Sequence, residues 1–190
     1  NMSTDIFVVD TPFLIAKLEE EAAKEEPRKL RYVLRDLAVA ENAFAYEHTG
    51  YLSNIHSVKA YFDANLDMLE SQKFYSLFAP NQKVYTKVKN EEPTYYADSS
   101  EVKLSQFASG SIVRGKVENS VISRNVDLSE GSSVSHSILF PRVKVAKGAT
   151  VEYAIVDKDV EIAEGVTIRG TENNPVVIKK DSVVTEDIVR

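Results

Sequence analysis

Between Val121 and Ile168, single aliphatic residues recur at a spacing that a helix cannot use. Gly131, Gly148 and Gly165 stand 17 residues apart, and five aliphatic positions keep the same step. They are Val126, Val143 and Val160; Leu128, Val145 and Ile162; Val134, Val151 and Ile168; Val121, Ile138 and Ile155; and Ile122, Leu139 and Val156. Helical repeats need units of roughly 30 residues or more, so a period this short, built on β-branched residues with Ser, Ala, Gly and Asn between them, predicts coils of a parallel β-helix. Each coil turns three short strands around a triangular core, and all the repeating aliphatic residues are expected to point into it. The glycines fall where corners call for positive φ. Evenly spaced strands also suit a β-sandwich, but six matched positions favour the β-helix.

Upstream the pattern is helical. Thr11 followed by Pro12 reads as an N-cap and N1 pair, after a β-rich run from Asp5 to Val9, and Leu14, Ile15, Leu18 and Ala22 give the helix one apolar face up to about Lys24. A second helix from Arg28 carries Leu30, Val33, Leu34 and Leu37. Phe44 to Tyr46 and Tyr51 to Leu52 read as short strands, and Ser57 caps a third helix with Val58, Tyr61, Phe62, Asn65 and Leu69 on one face. Pro80 and Pro93 mark a connector, with Tyr95 and Tyr96 expected to pack at its far end. The organisation expected is an α/β region over 1–72, a linker over 73–97 and a β-helix over 98–190.

Composition narrows the function classes. With 43% hydrophobic and 27% charged residues the chain reads as globular, and its net charge of −6 argues against a protein that works on phosphate backbones. A local basic pocket for one small phosphorylated ligand is still permitted. There are no cysteines, so disulfides, thiolate metal sites and a cysteine nucleophile are excluded. The first ten residues carry no signal-peptide pattern, and a cytoplasmic location is expected. His48 and His56 lack metal-ligand spacing. His136 lies in the β-helix, a fold that also serves acyltransferases with one histidine base, but it reads first as a corner residue in solvent.

In detail, "SQFASGSIVRGKVENSVISRNVDLSEGSSV" and "YAIVDKDVEIAEGVTIRG" resemble the C-terminal β-helix of ADP-glucose pyrophosphorylases, the glucose-1-phosphate adenylyltransferases. "MSTDIFVVDTPFL" and "GYLSNIHSVKAYFDANLDML" are similar to segments near that family's sugar-phosphate site. The resemblance implies a left-handed β-helix preceded by the α/β tail of a nucleotidyltransferase domain, and a chain that corresponds to the C-terminal part of a longer protein. No glycine-rich phosphate loop occurs in the 190 residues.

The same resemblance shows where this chain departs from the catalytic members. Their Gly-Tyr-Trp-x-Asp-Val-Gly-Thr segment holds a carboxylate that helps bind the metal bridging the nucleotide phosphates. Here Leu52 stands for the tryptophan, Asn54 for the aspartate and His56 for the second glycine. Their His-Asp-Phe-Gly-x-Asp segment is reduced in "PRKLRYVLRDL" to Arg35 and Asp36. These departures resemble the non-catalytic, GlgD-type partner subunits of the family. The implied reading is a regulatory subunit in glycogen biosynthesis, without catalytic residues, metal or cofactor of its own, that joins a Mg²⁺-dependent catalytic subunit in a homo- or hetero-oligomer. Lys179, Lys180 and Arg169 are the implied anionic effector site. The alternatives are an active sugar-1-phosphate nucleotidyltransferase and a β-helix acyltransferase of the bifunctional uridylyltransferase type.

Overall fold

The 17-residue step becomes a hydrogen-bond register. In the structure, a computed structural model that describes residues 4, 6–40, 43–81 and 83–190, Leu128 pairs with Val145 and Val145 with Ile162. Val134, Val151 and Ile168 pair likewise, as do Ile122, Leu139 and Val156. Every strand pairing is parallel, and the strands form three sheets that wind as a solenoid of about six turns over residues 95–189.

The first sheet contains Tyr95–Tyr96, Ile112–Val113, Asp127–Leu128, Lys144–Val145, Glu161–Ile162 and Val183–Val184. The second contains Glu101–Lys103, Lys116–Glu118, Ser133–Ser135, Thr150–Glu152, Thr167–Arg169 and Ile188–Val189. The third contains Gln106–Phe107, Val121–Ile122, Ile138–Leu139, Ala154–Val156 and Val176–Ile178. Tyr95 and Tyr96 therefore belong to the first coil, where the Tyr96 ring meets Phe107 edge-on at 5.4 Å.

One aliphatic row does not point inward as expected. Val126, Val143 and Val160, with the rows on Leu128, Val134 and Ile122, fill the solenoid interior. Ile138 and Ile155 instead face outward and form a separate cluster with Phe62, with Tyr61 and Leu66 packed at its edge. The reason is the period of two along a strand: Ile138 and Leu139 are neighbours, so only one of them can face the interior. The outer row is sheltered by the third helix, whose Phe62 is 1% exposed.

The corners carry the conformational strain. Gly131, Gly148 and Gly165 have φ of 71°, 69° and 72°, as expected. The other two corner columns also use positive φ, mostly with side chains: Leu104, Asn119, His136 and Tyr153 in one, and Asn125, Arg142, Asp159 and Asp181, after Gly110 at 78°, in the other. For residues other than Gly, Asn and Asp that conformation is costly. A ladder of serines holds the first of these columns together. Ser137 Oγ donates to Ser135 O at 2.7 Å and accepts from the Ala154 N–H at 3.1 Å, while the Ser137 N–H donates to Ser120 Oγ at 3.1 Å. Ser120, Ser137 and Ala154 are all fully buried. Replacing Ser137 with Ala leaves the Ala154 N–H without a partner inside the protein and is expected to destabilise the fold by about 1–3 kcal/mol. Urea unfolding followed by circular dichroism measures it.

The region before the solenoid is helical, as its apolar periodicity predicts. The helices are α1 (Thr11–Ala22), α2 (Leu30–Ala40), α3 (Val58–Leu66) and α4 (Ser71–Leu77), with a 3₁₀ turn at Asp67–Leu69. No strand forms among the described residues of 6–9, 44–46 or 51–52; residue 5 of the first of these runs lies outside the described residues. A short β-prone run forms a strand only beside a partner, and none of these runs pairs with another strand among the described residues. The N-cap of α1 is Asp10, whose Oδ1 accepts from the Phe13 N–H at 3.1 Å, which moves Thr11 and Pro12 to the first two helical positions. Ser57 caps α3 as expected, accepting from the Ala60 N–H at 3.1 Å.

By its contacts the chain divides into a unit of residues 1–49 and a unit of residues 50–190. In the first unit Glu21, 5% exposed, accepts from Arg28 Nε at 2.9 Å and Nη2 at 3.1 Å, from the Arg28 N–H at 3.0 Å, and from Lys24. Arg28 Nη1 reaches on to Asp36 at 2.6 Å, so one guanidinium ties α1 to α2. Its hydrogen bonds hold the Glu21 carboxyl far below its ordinary value of 4.5, with Lys24 adding to the effect. Arg28 and then Arg35 lower Asp36 in the same direction. Depressed carboxylates stabilise the fold above their unfolded pKa and lose that contribution as pH falls below it. Amide protection over residues 11–40 is therefore expected to fall below about pH 4.5, before protection in the solenoid does.

Candidate functional site

Residues 51–57, which hold Leu52, Asn54 and His56, run without regular structure into α3. Leu52 is 50% exposed, and Asn54 and His56 are exposed as well. The segment folds back on itself: the His56 N–H donates to Asn54 O at 3.1 Å, and His56 Nδ1 lies 3.0 Å from the same oxygen. The segment from Tyr51 to Ser57 contains no carboxylate. A hard divalent cation prefers anionic oxygen, so this set of donors does not fit Mg²⁺. Among the described residues no group of three or more His, Asp or Glu side chains is placed to hold a metal ion.

Arg169 ends its strand in the second sheet with Nε 2.7 Å from Glu152 Oε2. Lys179 and Lys180 stand beyond Val176–Ile178, at the next corner of the triangle, where Lys180 lies 3.4 Å from Asp181. The three-residue strand Val176–Ile178, roughly 10 Å long, lies between the two corners. Lys179 is exposed and carries no ion pair among the described residues.

A cleft that the sequence did not announce lies against the corner column of Asn119, His136 and Tyr153. It has a volume of about 660 Å³, and its opposite wall is α3 and the following 3₁₀ turn, with Lys59, Asp63 and Asp67. The two aromatic rings stack with centroids 4.7 Å apart and planes 19° from parallel. His136 is thus a corner residue, as expected, but it lies half-buried against Tyr153 rather than in open solvent. Its Nδ1 is buried and has no hydrogen-bond partner among the described residues. One end of the cleft is formed by a loop that the repeat does not predict. Where one residue turns the corner at Tyr153, residues 170–175 turn it one coil later, closed by a Thr171 to Asn174 bridge, and Glu172 of this loop lines the cleft. Gly170 is required at its root, because a Cβ there would lie 2.4 Å from Tyr153 O and 2.7 Å from Val176 N. The signal available in the sequence was the step itself, since Asn119, His136 and Tyr153 also stand 17 apart.

Residues 88–189 match the model of a family described as GlmU-like, C-terminal hexapeptide. The chain is 52% identical over 127 residues to the glycogen biosynthesis protein GlgD of Geobacillus stearothermophilus, which covers 67% of this chain and 37% of that protein. It is 37% identical over 89 residues to GlgD of Bacillus subtilis, covering 47% of this chain and 26% of the relative. To the glucose-1-phosphate adenylyltransferase of Thermosipho africanus it is 28% identical over 134 residues, 70% of this chain and 32% of that one. The chain thus spans well under half the length of these curated relatives. Their names are those of the proteins that the residues of the solenoid and of the 50–69 segment resemble.

Proposed function

Because the chain belongs to the GlmU-like, C-terminal hexapeptide family, and because it is similar to one GlgD protein over two thirds of its length, we propose that it serves as a regulatory, non-catalytic part of a glucose-1-phosphate adenylyltransferase assembly in glycogen biosynthesis. The observation that carries this reading is the segment around Asn54. Phosphoryl and nucleotidyl transfer depend on a metal that neutralises charge passing between oxygens. Where the catalytic adenylyltransferases that this segment resembles hold a carboxylate, this chain has a neutral amide, with the His56 imidazole turned onto the Asn54 backbone carbonyl.

Association is the second part of the proposal. In the first unit Val33 is a buried hydrophobic residue, whereas Ile6, Val8, Val39, Phe44 and Tyr46 are more than four-fifths exposed. Apolar surface of that kind is normally covered in a larger assembly. For an anionic effector the reading assigns Lys179, Lys180 and Arg169, of which Lys179 has its charge free to meet a ligand. The test is to mix the complete subunit with its catalytic adenylyltransferase partner. The expected result is a hetero-oligomer by light scattering, with a partner turnover or effector response that differs from the partner alone, and loss of part of that response on Lys179→Ala with Lys180→Ala. A subunit that stays monomeric and leaves the partner's kinetics unchanged would contradict the proposal.

A further inference from the structure

The cleft beside His136 and Tyr153 has a charge and a shape that the regulatory reading does not use. Its carboxylates are Asp63, Asp67, Glu70 and Glu172, against Lys59 as the one cationic side chain in its lining. Lys59 is committed to Asp63 at 2.7 Å, and Lys73 bridges Asp67 at 2.6 Å and Glu70 at 2.8 Å. Glu172, on the inserted loop, has no hydrogen bond or ion pair of its own among the described residues. Counting both lysines against the four carboxylates leaves the cleft negative. A phosphate would be repelled, and a neutral sugar would leave that charge uncompensated.

The other wall is unusual for a corner. His136 and Tyr153 hold φ of 45° and 47°, a conformation that Asn119 adopts at lower cost one coil earlier. Two bulky rings are thereby stacked on each other where the corner column lines the cleft. A planar cation that offers only donors suits the ring pair and the unpaired Glu172 carboxylate together. It can lie against aromatic side chains and bond a carboxylate with two parallel N–H groups. An ammonium lacks the flat face and the fork.

We propose that this cleft receives an arginine side chain presented by another protein chain, with Glu172 as its carboxylate partner and the His136 and Tyr153 pair as its stacking wall. The docking is driven by charge complementarity and is independent of any nucleotidyl transfer.

The test uses the 190-residue chain, with N-acetyl-arginine amide as the probe and the ring resonances of His136 and Tyr153 as the readout. Saturable shifts are expected in roughly the millimolar range that one such contact supports, weakening as salt rises. The neutral isostere N-acetyl-citrulline amide is expected to bind about tenfold more weakly, because the charge-assisted bonds are lost. Glu172→Gln, an exposed loop substitution, should weaken arginine amide several-fold while leaving the amide spectrum of the solenoid unchanged. Equal binding of the citrulline probe, preferential binding of maltose or inorganic phosphate, or unshifted ring signals at saturating probe would each overturn the proposal.

Discussion

Leu139→Ala is expected to destabilise the solenoid by about 2–5 kcal/mol, the range for removing a buried leucine from a packed core. Leu139 is fully buried in a central coil, paired with Ile122 on one side and Val156 on the other. In a stack of coils stability is a sum of nearest-neighbour interfaces, so a cavity in the middle weakens two of them, and the flanking coils cannot collapse into it without breaking register. The comparison is Val189→Ala, where the side chain is 62% exposed in the last coil and the change should stay within about 0.5 kcal/mol. Denaturant unfolding of both variants provides the measurement. A loss below about 1 kcal/mol at Leu139 would mean that the coils do not share one cooperative core.

Gly115→Ala should cost on the order of 1–3 kcal/mol for a different reason, overpacking. A Cβ at Gly115 would lie 2.2 Å from Ser132 Oγ, 2.5 Å from Ser132 O and 3.0 Å from Ser129 O. Two of those atoms are backbone, and Ser132 O already accepts from the Lys116 N–H at 2.8 Å, so the corner cannot open without losing a bond between coils. Gly131→Ala is strained by its φ of 71° but has no contact shorter than 3.7 Å. A thermal melt that ranks Gly115→Ala as the milder change would contradict this account of the corner.

The same corner explains how far the repeat could be followed in the sequence. From Asp127 through Lys144 to Glu161 the step is 17, but Ile112 to Asp127 is 15, because Arg114 and Gly115 turn the corner that Ser129 to Ser132 turn in the next coil. At the other end the loop at 170–175 lengthens the step from Ile155 to Val177 to 22. A fixed period therefore finds the middle coils, where the core is built, and misses the ends, although pairing continues through both. The outward row of Ile138 and Ile155 was equally present in the sequence, but a period says that residues are equivalent, not which way they face; the partner that covers them, Phe62, lies more than 70 residues away.

The aromatic runs at 44–46 and 51–52 have strand propensity without a strand, since pairing partners decide and propensity alone does not. The substitutions at Leu52, Asn54 and His56 stand within one contiguous stretch of the sequence, so they can be compared with a motif directly. The cleft was not legible, because it joins single residues from successive coils to one helix and one inserted loop.

The proposed regulatory role predicts that the complete subunit does not itself make ADP-glucose. The direct measurement is ADP-glucose formation from ATP and glucose 1-phosphate by the complete subunit, purified free of its catalytic partner, at saturating Mg²⁺. The expected result is negligible turnover, unchanged by Asn54→Asp, because Leu52 and His56 still occupy the segment and His56 still bonds the backbone there. Turnover comparable to that of the catalytic subunit would contradict the account.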